Sequence, residues 1–261
     1  MMIGVVCIIR EQRIQAILNT IKTKGVVSIE ELTTSLNTSR STIRRDLRDL
    51  EDEHELKCTR GGAMSIVHKT SYEPPFDVRK DRFLDEKERI ALAAFKLIQE
   101  NETVILSSGT TVYEVAKLIK DFEHLYIATN DLNSAMTLSS VQNIDLIVLG
   151  GMLRQSHYSL NGLFTESTLT QMHADRVFLG VDAVDFNIGF MNFSIEEIQT
   201  KRLMIQASHE VVVLCDHSKF ERIAFANICP FEDVDLIITG KEIGSENLNK
   251  LEELGVKVIT V

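Results

Sequence analysis

Short apolar runs alternate with helical patterns from residue 104 to the C-terminus, and this alternation constrains the fold more than any other feature. The runs that fit buried strands are 104–106, 125–128, 144–149, 177–180, 211–215, 236–238 and 256–261. Strands that alternate with helices in this way form a mostly parallel sheet covered on both faces. A strong helical pattern over 85–100 precedes the first run. The sequence therefore predicts a doubly wound, mostly parallel α/β domain over 85–261.

Polar residues gather at the predicted carboxyl ends of these strands, where ligands bind in open sheets of this kind. The first strand is followed by a small loop and then a helix, and the loop contains Ser108, Gly109, Thr110 and Thr111. Such a loop offers backbone N–H groups and hydroxyls to an anion, although the same residues also serve as an ordinary helix cap. It has neither the lysine of a P-loop nor the glycines of a GxGxxG dinucleotide turn.

Four further strand ends carry polar or charged groups. They contribute Thr129 with Asn130, Gly151 with Arg154 nearby, Asp182, and Asp216 with Lys219. Any one of these ends is compatible with ordinary turn chemistry. As a set, their hydroxyls, amide, carboxylates and cationic groups suit a polyol that carries a phosphate group.

Three short helices are predicted near the N-terminus, over 10–24, 29–36 and 40–50. Gly25 fits the end of the first helix, and Ser28 with Glu31 forms a capping box before the second. Ser39 caps the third helix, whose buried stripe consists of Ile43, Leu47 and Leu50. Because a tight turn joins the second and third helices, the pattern is typical of a helix-turn-helix.

An arginine-rich outer face on the third helix indicates DNA binding, because this helix of the motif lies in the major groove. We expect Ser41, Thr42 and Arg44 to reach base edges, and Arg45 and Arg48 to hold phosphates. Two strands around a Gly-Gly turn follow within 56–66 and form a wing. The expected DNA-binding residues are Ser39, Ser41, Thr42, Arg44, Arg45, Arg48, Arg60, Gly61 and Gly62. The alternatives are a solvated helix face and a module for protein contacts.

Charge is unevenly distributed along the chain. The whole sequence has a net charge of −10, whereas residues 10–68 hold ten basic and nine acidic residues. A near-neutral end on an acidic body suits a polyanion that meets only that end. Since Pro74 and Pro75 cannot continue a helix, we place a linker over 69–84. It separates a DNA-binding domain over 10–68 from the domain over 85–261.

Signs of a membrane span, a secretion signal or a metal site are absent from the sequence. No apolar run reaches the ~20 residues that a membrane span needs, and the apolar stretch 1–9 lacks the features of a signal peptide. The four cysteines are scattered, without a CxxC pair. We therefore expect a cytoplasmic protein with no membrane partner, no metal and no cofactor.

The N-terminal strings resemble those of the DeoR family of bacterial repressors. Within Arg13 to Ala63, the resemblance lies in Ser39-x-x-Thr42-Ile43-Arg44-Arg45-Asp46-Leu47 and in Gly61-Gly62-Ala63. It extends over the second domain through Ser108-Gly109-Thr110-Thr111, Thr129-Asn130, Gly150-Gly151, Gly180-Val181-Asp182, Glu196-Glu197 with Lys201, and Asp216-x-Ser218-Lys219-Phe220.

Several properties follow from this resemblance as expectations. It implies operator binding through the third helix and wing, by homodimers or homotetramers. It implies an effector domain similar in fold to ribose-5-phosphate isomerase and CoA transferases, with a sugar phosphate docked by its phosphate at Gly109–Thr111. The expected effector-binding residues are Ser108, Gly109, Thr110, Thr111, Thr129, Asn130, Gly151, Arg154, Asp182, Lys201, Asp216 and Lys219. The chain departs from the common family pattern at Ser107, Asp131, Ala183, Phe193 and Gln199, which leaves the identity of the effector open.

The sequence thus predicts a DNA-binding transcriptional regulator, specifically a repressor of a carbohydrate-metabolism operon that responds to a phosphorylated sugar. It is not expected to be an enzyme. The alternative is a sugar-phosphate isomerase with a fused DNA-binding domain, in which Asp182 acts with Lys219 or Lys201 because isomerisation needs a general base beside a carbonyl.

Overall fold

The computed structural model describes residues 9–24, 26–52, 56–65, 70 and 73–261. They fall into two compact units, Met1–Lys69 and Thr70–Val261. Three sequence predictions lie wholly or partly outside the described residues: the helix stop at Gly25, the apolar stretch 1–9, and the first part of the linker. A helix long and apolar enough to span a lipid bilayer is not found in the described part of the chain.

The N-terminal unit contains the three predicted helices and the predicted wing. Its elements are α1 (Arg10–Lys24), β1 (Val26–Ser28), α2 (Ile29–Ser35), α3 (Arg40–Asp52), β2 (Leu56–Thr59) and β3 (Gly62–Ser65). The Ser28 side chain accepts a hydrogen bond from the Glu31 backbone N–H at 3.0 Å, which confirms the cap of α2. The predicted stripe of Ile43, Leu47 and Leu50 is buried in a core that also contains Ile17 and Leu32.

The wing differs from the expected two-stranded hairpin because β1 joins it. Among the described residues the sheet has the order β1-β3-β2, and Val27 pairs with Ala63. A Cβ on Gly62 would lie 2.0 Å from the Val27 carbonyl oxygen, so the close approach of β1 requires glycine there. The turn of the wing falls at Arg60 and Gly61, and both residues are exposed.

A buried ion pair that the helical periodicity did not indicate ties α1 to α3. The Asp46 side chain is only 2% exposed, and its Oδ2 lies 2.5 Å from Arg13 Nε. Arg13 Nη2 donates a second hydrogen bond to Asp46 Oδ1 at 3.1 Å. Asp46 thus belongs to the buried side of the helix, while the neighbouring Arg44 and Arg45 are exposed.

Replacement of Asp46 by alanine is expected to destabilise the N-terminal unit by about 3–5 kcal/mol, because it leaves the Arg13 charge buried without its carboxylate partner. Urea unfolding of the intact chain, with hydrogen exchange of the α1 and α3 amides, measures this loss. The matched control is Asp49→Ala, since Asp49 pairs with exposed Arg10 and should contribute at most about 1 kcal/mol. Equal losses in the two variants would contradict the structural role of Asp46.

The second unit alternates strands and helices as the sequence predicted. Its elements are α4 (Phe76–Arg79), α5 (Leu84–Phe95), β4 (Thr103–Leu106), α6 (Thr110–Leu118), β5 (Leu125–Thr129), α7 (Leu132–Leu138), β6 (Ile144–Val148), β7 (Met152–Arg154), β8 (Ser159–Asn161), α8 (Leu163–Leu169), β9 (Ala174–Gly180), β10 (Ala183–Asp185), β11 (Gly189–Asn192), α9 (Ile198–Gln206), β12 (Ser208–Leu214), β13 (Ala226–Cys229), β14 (Leu236–Thr239), α10 (Ser245–Glu253) and β15 (Lys257–Thr260).

All seven predicted strands form one parallel sheet among the described residues, in the order β15-β14-β12-β9-β4-β5-β6. Alternate side chains of the central strands β4 and β9 enter the two cores that cover their faces. Ile105 and Val177 belong to one core, whereas Leu106 and Phe178 belong to the other. The mostly parallel, doubly wound prediction is confirmed.

Two small antiparallel sheets and an earlier helix end were not predicted. β7 pairs with β8, and β11 lies between β10 and β13. These strands are only three or four residues long, which is too short for a clear period-2 pattern. The helix predicted over 85–100 ends at Phe95.

Residues 73–84, which the sequence assigned to the linker, pack into the second unit. Phe76 is buried, and its ring contacts Tyr113 and Tyr158 edge to face with centroids 5.6 and 5.7 Å apart. Adjacent prolines stop a helix, but they do not prevent burial of the residues beside them. We call residues 73–79 the strap.

Candidate functional site

The exposed face of α3 presents three arginines. Arg44, Arg45 and Arg48 are exposed, and within the described part of the chain none of them forms an ion pair closer than 4.0 Å. Ser39 Oγ accepts a hydrogen bond from the Thr42 backbone N–H at 3.2 Å, so it caps α3. Such a face can pair with phosphates and base edges.

The remaining predicted DNA-binding residues have different environments. Ser41 is exposed, Thr42 is half-buried, and Arg60 and Gly61 lie at the exposed turn of the wing. Gly62 is buried against β1, so its position has a packing role.

A cleft opens at the carboxyl ends of the central strands of the parallel sheet. The empty space in and around it, open solvent included, is about 430 Å³, and the cleft is lined by Glu73, Arg79, Ser108, Gly109, Thr110, Thr111, His157, Gly180, Val181, Asp182, Glu197, Lys201, Leu214 and Lys219. Seven of the twelve predicted effector-binding residues are in this set: Ser108, Gly109, Thr110, Thr111, Asp182, Lys201 and Lys219.

One end of the cleft is the N-terminus of α6. Gly109 has a φ of 148°, a conformation that favours glycine, and precedes the first turn of the helix. The preceding loop is fixed on both sides: the Ser108 N–H donates to Asn130 Oδ1 at 2.9 Å, and the Gly180 N–H donates to Ser107 Oγ at 2.9 Å. The backbone N–H groups of a helix N-terminus and its dipole favour an anion.

Charged groups cover the rest of the cleft. Lys201 Nζ donates to the Gly180 carbonyl at 2.7 Å and to Asn192 Oδ1 at 3.0 Å. Arg79 Nη1 lies 3.5 Å from Asp182 Oδ1, and its Nη2 lies 2.6 Å from Glu73 Oε1. The cleft therefore holds cationic and carboxylate groups side by side.

The other five predicted effector-binding residues are not in this lining set. Thr129 Oγ1 donates to the Leu106 carbonyl, and Asn130 holds the Ser108 loop. Arg154 Nη1 contacts Glu73 at 2.5 Å and Glu197 at 3.1 Å. Asp216 Oδ1 accepts a hydrogen bond from the Ser218 N–H. Gly151 packs closely against Thr165 and Asn161.

Sequence reasoning missed four charged or titratable residues of the lining: Glu73, Arg79, His157 and Glu197. Glu197 belongs to the family string Glu196-Glu197, but no role was predicted for it. Glu73 and Arg79 fell in the expected linker, where a segment without helical periodicity gave no sign of burial. Phe76, which lies between them in the sequence, is buried, and both side chains form ion pairs in the cleft.

Burial and neighbouring charges shift the pKa values of the cleft carboxyls in opposite directions. Burial alone would raise the pKa of Glu73, but the charge of Arg79, a hydrogen bond from His157 and the charge of Arg154 hold it well below its usual value. Burial and the adjacent Glu73 carboxylate raise the pKa of Asp182. Nearby, burial lowers the pKa of Lys87 to about 8.

One cluster among the described residues has the composition of a metal site. Ligand atoms of Glu86, Asp216 and His217 lie within 4.8 Å of one another. The Glu86 carboxylate already bonds His217, with Oε2 2.6 Å from Nδ1 and Oε1 accepting from the His217 backbone N–H at 2.8 Å. This pair raises the pKa of His217, which favours the imidazolium over a metal-binding neutral ring.

Asp131, one of the departures from the family pattern, is buried beside the site at the start of α7. Its Oδ1 accepts from the Ser134 N–H at 2.7 Å, and its Oδ2 has no hydrogen-bond partner among the described residues. Burial raises its pKa to about 6. The folded protein therefore binds this proton more tightly than the unfolded chain.

Asp131→Asn is expected to stabilise the protein at pH 7 by up to about 3 kcal/mol, the equivalent of the two-unit pKa shift. Asparagine caps a helix as well as aspartate and removes the cost of a buried charge. Because the folded pKa is raised, wild-type stability falls as pH rises from about 4 to about 6, so the advantage should vanish near pH 4. Urea unfolding at both pH values measures it.

The control is exposed Asp145→Asn, which should change stability by no more than about 0.5 kcal/mol at either pH. An Asp131→Asn advantage that is the same at pH 4 and pH 7 would show that the buried charge is not its source.

Family comparisons match both units. Residues 13–69 match a model described as the DeoR-like helix-turn-helix domain, and residues 82–241 match one described as the DeoR C terminal sensor domain.

Individual proteins are similar over nearly the whole chain. The glycerol-3-phosphate regulon repressor of Escherichia coli is 34% identical over 228 residues, 87% of this chain and 90% of the repressor. The HTH-type transcriptional repressor GlcR of Bacillus subtilis is 32% identical over 251 residues, 96% of each chain. Among solved structures, ribose 5-phosphate isomerase A of Methanocaldococcus jannaschii covers 52% of this chain and 54% of its own, with 19% identity and a TM-score of 0.38.

Proposed function

This chain belongs to the DeoR family of transcriptional regulators, and from that premise we propose that it represses a carbohydrate-metabolism operon in response to a phosphorylated sugar. Operator DNA binds α3 and the wing, and the sugar phosphate binds the cleft of the second unit. The observation that carries the proposal is that one chain combines a recognition helix whose Arg44, Arg45 and Arg48 form no ion pair with any described residue and a cleft at the N-terminus of a helix. A regulator of chromosomal genes in a bacterium acts in the cytoplasm, which we propose as its location.

The DNA-binding part rests on the charge of α3. Asp46, the acidic residue nearest to Arg44 and Arg45 in the sequence, is turned inward and paired with Arg13. The outer face therefore keeps its positive charge although the whole chain is acidic. Arg44 lies in the first half of α3, which reaches base edges in this motif, and Arg45 and Arg48 are placed for phosphates.

The effector part rests on the chemistry of the cleft. The α6 N-terminus and Lys219 suit a phosphate group, and the carboxylates and amide groups beside them suit the hydroxyls of a sugar. The name of one relative supports this class of ligand, since it is called a glycerol-3-phosphate regulon repressor.

Turnover of the ligand is not part of the proposal. Asp182, the candidate base, accepts from the Phe193 N–H at 3.2 Å and faces Arg79. Lys201 is fixed by Gly180 and Asn192. Both groups therefore already have protein partners, and the relatives that match this chain are named as repressors.

We also propose a homodimer or homotetramer. Each chain has one recognition helix, and proteins of this type read paired half-sites as symmetric oligomers. Exposed apolar side chains on the edge strand β6 and on the elements before and after it in the chain suit contact with a second copy of the chain. They are Met136, Ile147, Val148, Met152, Leu153, Leu163 and Phe164.

Arg44→Ala and Arg45→Ala should weaken operator binding in different ways. Loss of a base contact at Arg44 should lower the preference for the chain's own promoter over random duplex by about 1–3 kcal/mol. Loss of a phosphate contact at Arg45 should weaken binding to both duplexes equally and reduce the slope of log affinity against log salt by about 1. Fluorescence anisotropy across a salt series measures both effects.

Exposed Lys120 gives the control, because Lys120→Ala removes the same charge from the second unit. If this variant weakened DNA binding as much as the α3 variants, the effect would be due to net charge and the assignment of α3 to the groove would be wrong.

Sugar phosphates should stabilise the full chain in a thermal-shift panel, whereas the same sugars without phosphate should not. Lys219→Ala should weaken the binding of any stabilising compound about tenfold or more, because it removes a cation from the phosphate end of the cleft. Exposed Lys257→Ala is the matched control and should bind as wild type. A panel with no stabilising phosphate ester, or one in which Lys219→Ala has no effect, counts against this part of the proposal.

A further inference from the structure

The carboxylate of Glu73 lies inside the cleft, surrounded by cationic groups. Its side chain is only 4% exposed, with Oε1 2.6 Å from Arg79 Nη2 and Oε2 2.5 Å from Arg154 Nη1. His157 Nδ1 is 3.4 Å from Oε1. Charge-assisted pairs at these distances are among the strong hydrogen bonds of proteins, so Glu73 already takes the contacts that an anionic ligand would seek.

Glu73 reaches this position because the strap is held on the second unit. The Phe76 N–H donates to the Ser156 carbonyl at 2.8 Å, and the Phe76 ring is enclosed by Tyr113 and Tyr158. Farther along, the Arg79 carbonyl accepts from Lys87 Nζ at 2.5 Å. The strap thus has its own anchors, and Glu73 is its contact with the cations of the cleft.

A second anion near these groups would change the charge balance. Glu73, Asp182 and Glu197 already offset three of the four charges of Arg79, Arg154, Lys201 and Lys219, so a phosphate dianion would leave an excess of negative charge. Like charges in a buried site disfavour each other strongly. Either Glu73 keeps its ion pairs with Arg79 and Arg154 when the ligand binds, or the ligand forms those ion pairs and displaces the Glu73 carboxylate.

We propose that Glu73 is a built-in competitor: the anionic ligand takes over the guanidinium groups of Arg79 and Arg154, expels the Glu73 carboxylate and loosens the strap. This inference rests on the proposed function and adds its means of regulation. The strap immediately follows the DNA-binding unit in the chain, which ends near Lys69. Release of the strap changes the segment that connects the DNA-binding unit to the second unit in the chain. Ligand binding and operator affinity thereby become coupled.

The opposite role for Glu73 predicts an opposite result. If Glu73 only positions the two arginines for the ligand, its removal should weaken anion binding. If it competes with the ligand, its removal should strengthen anion binding. The sign of the change in affinity therefore separates the two roles.

The test uses the full chain and inorganic phosphate as the probe, with affinity measured by calorimetry for wild type, Glu73→Gln and Glu73→Asp. Glu73→Gln should bind phosphate about tenfold more tightly or better, the factor expected when one competing charge-assisted hydrogen bond is removed. Glu73→Asp keeps the charge and should stay closer to wild type. The matched control is Asp77→Asn, which removes a carboxylate from the same strap but one that is exposed and paired with Lys80; it should bind as wild type.

Hydrogen exchange of the Phe76 and Lys80 amides provides a second measurement. Phosphate should accelerate exchange at these amides in wild type, and Glu73→Gln should exchange quickly without phosphate. The proposal would be overturned if Glu73→Gln bound phosphate as wild type does or more weakly, or if neither protein bound phosphate. Slower hydrogen exchange of the strap amides in the presence of phosphate would also overturn it. The thermal-shift panel of sugar phosphates tests the proposed function separately. If sugar phosphates stabilise the chain but Glu73→Gln does not bind phosphate more tightly, only the role of Glu73 is wrong.

Discussion

Parallel pairing of β4 with β5 on one side and β9 on the other is the constraint on which the sensor site depends. It brings the carboxyl ends of neighbouring strands to one edge of the sheet, so residues far apart in sequence meet there. The loop before α6 is then fixed by Asn130 from one neighbour and Gly180 from the other. Both faces of β4 are buried, which leaves that edge as the place where polar groups can meet a ligand.

Periodicity was sufficient to predict the elements that depend on burial of a regular apolar face. The seven parallel strands, α1 to α3 and the cap at Ser28 follow from residue spacing alone. The antiparallel additions did not, because strands such as β7 and β10 have three residues and are stabilised by tertiary contacts. Asp46 shows a second limit: a charged residue on a helix reads as solvated until its partner, Arg13, is placed beside it by the fold.

The candidate site was predicted in part for the same reason. Strand ends are visible in a sequence, so the Ser108–Thr111 loop, Asp182 and Lys219 were found, whereas Lys201 in helix α9 was indicated only by the family resemblance. The strap was not, because its position depends on one aromatic side chain, Phe76, and on ion pairs that join residues about eighty positions apart. A proline pair marks where a helix cannot continue, but it carries no information about which neighbouring charges become buried.

The central claim is that operator DNA and an anionic sugar bind the same chain with linked free energies. Linkage requires that the factor by which ligand changes operator affinity equals the factor by which operator changes ligand affinity. Both dissociation constants should therefore be measured with and without the other partner, using the full chain, its own promoter and the best sugar phosphate of the panel. The account predicts two equal factors in the range of about 5–150; a factor of one for both would contradict it.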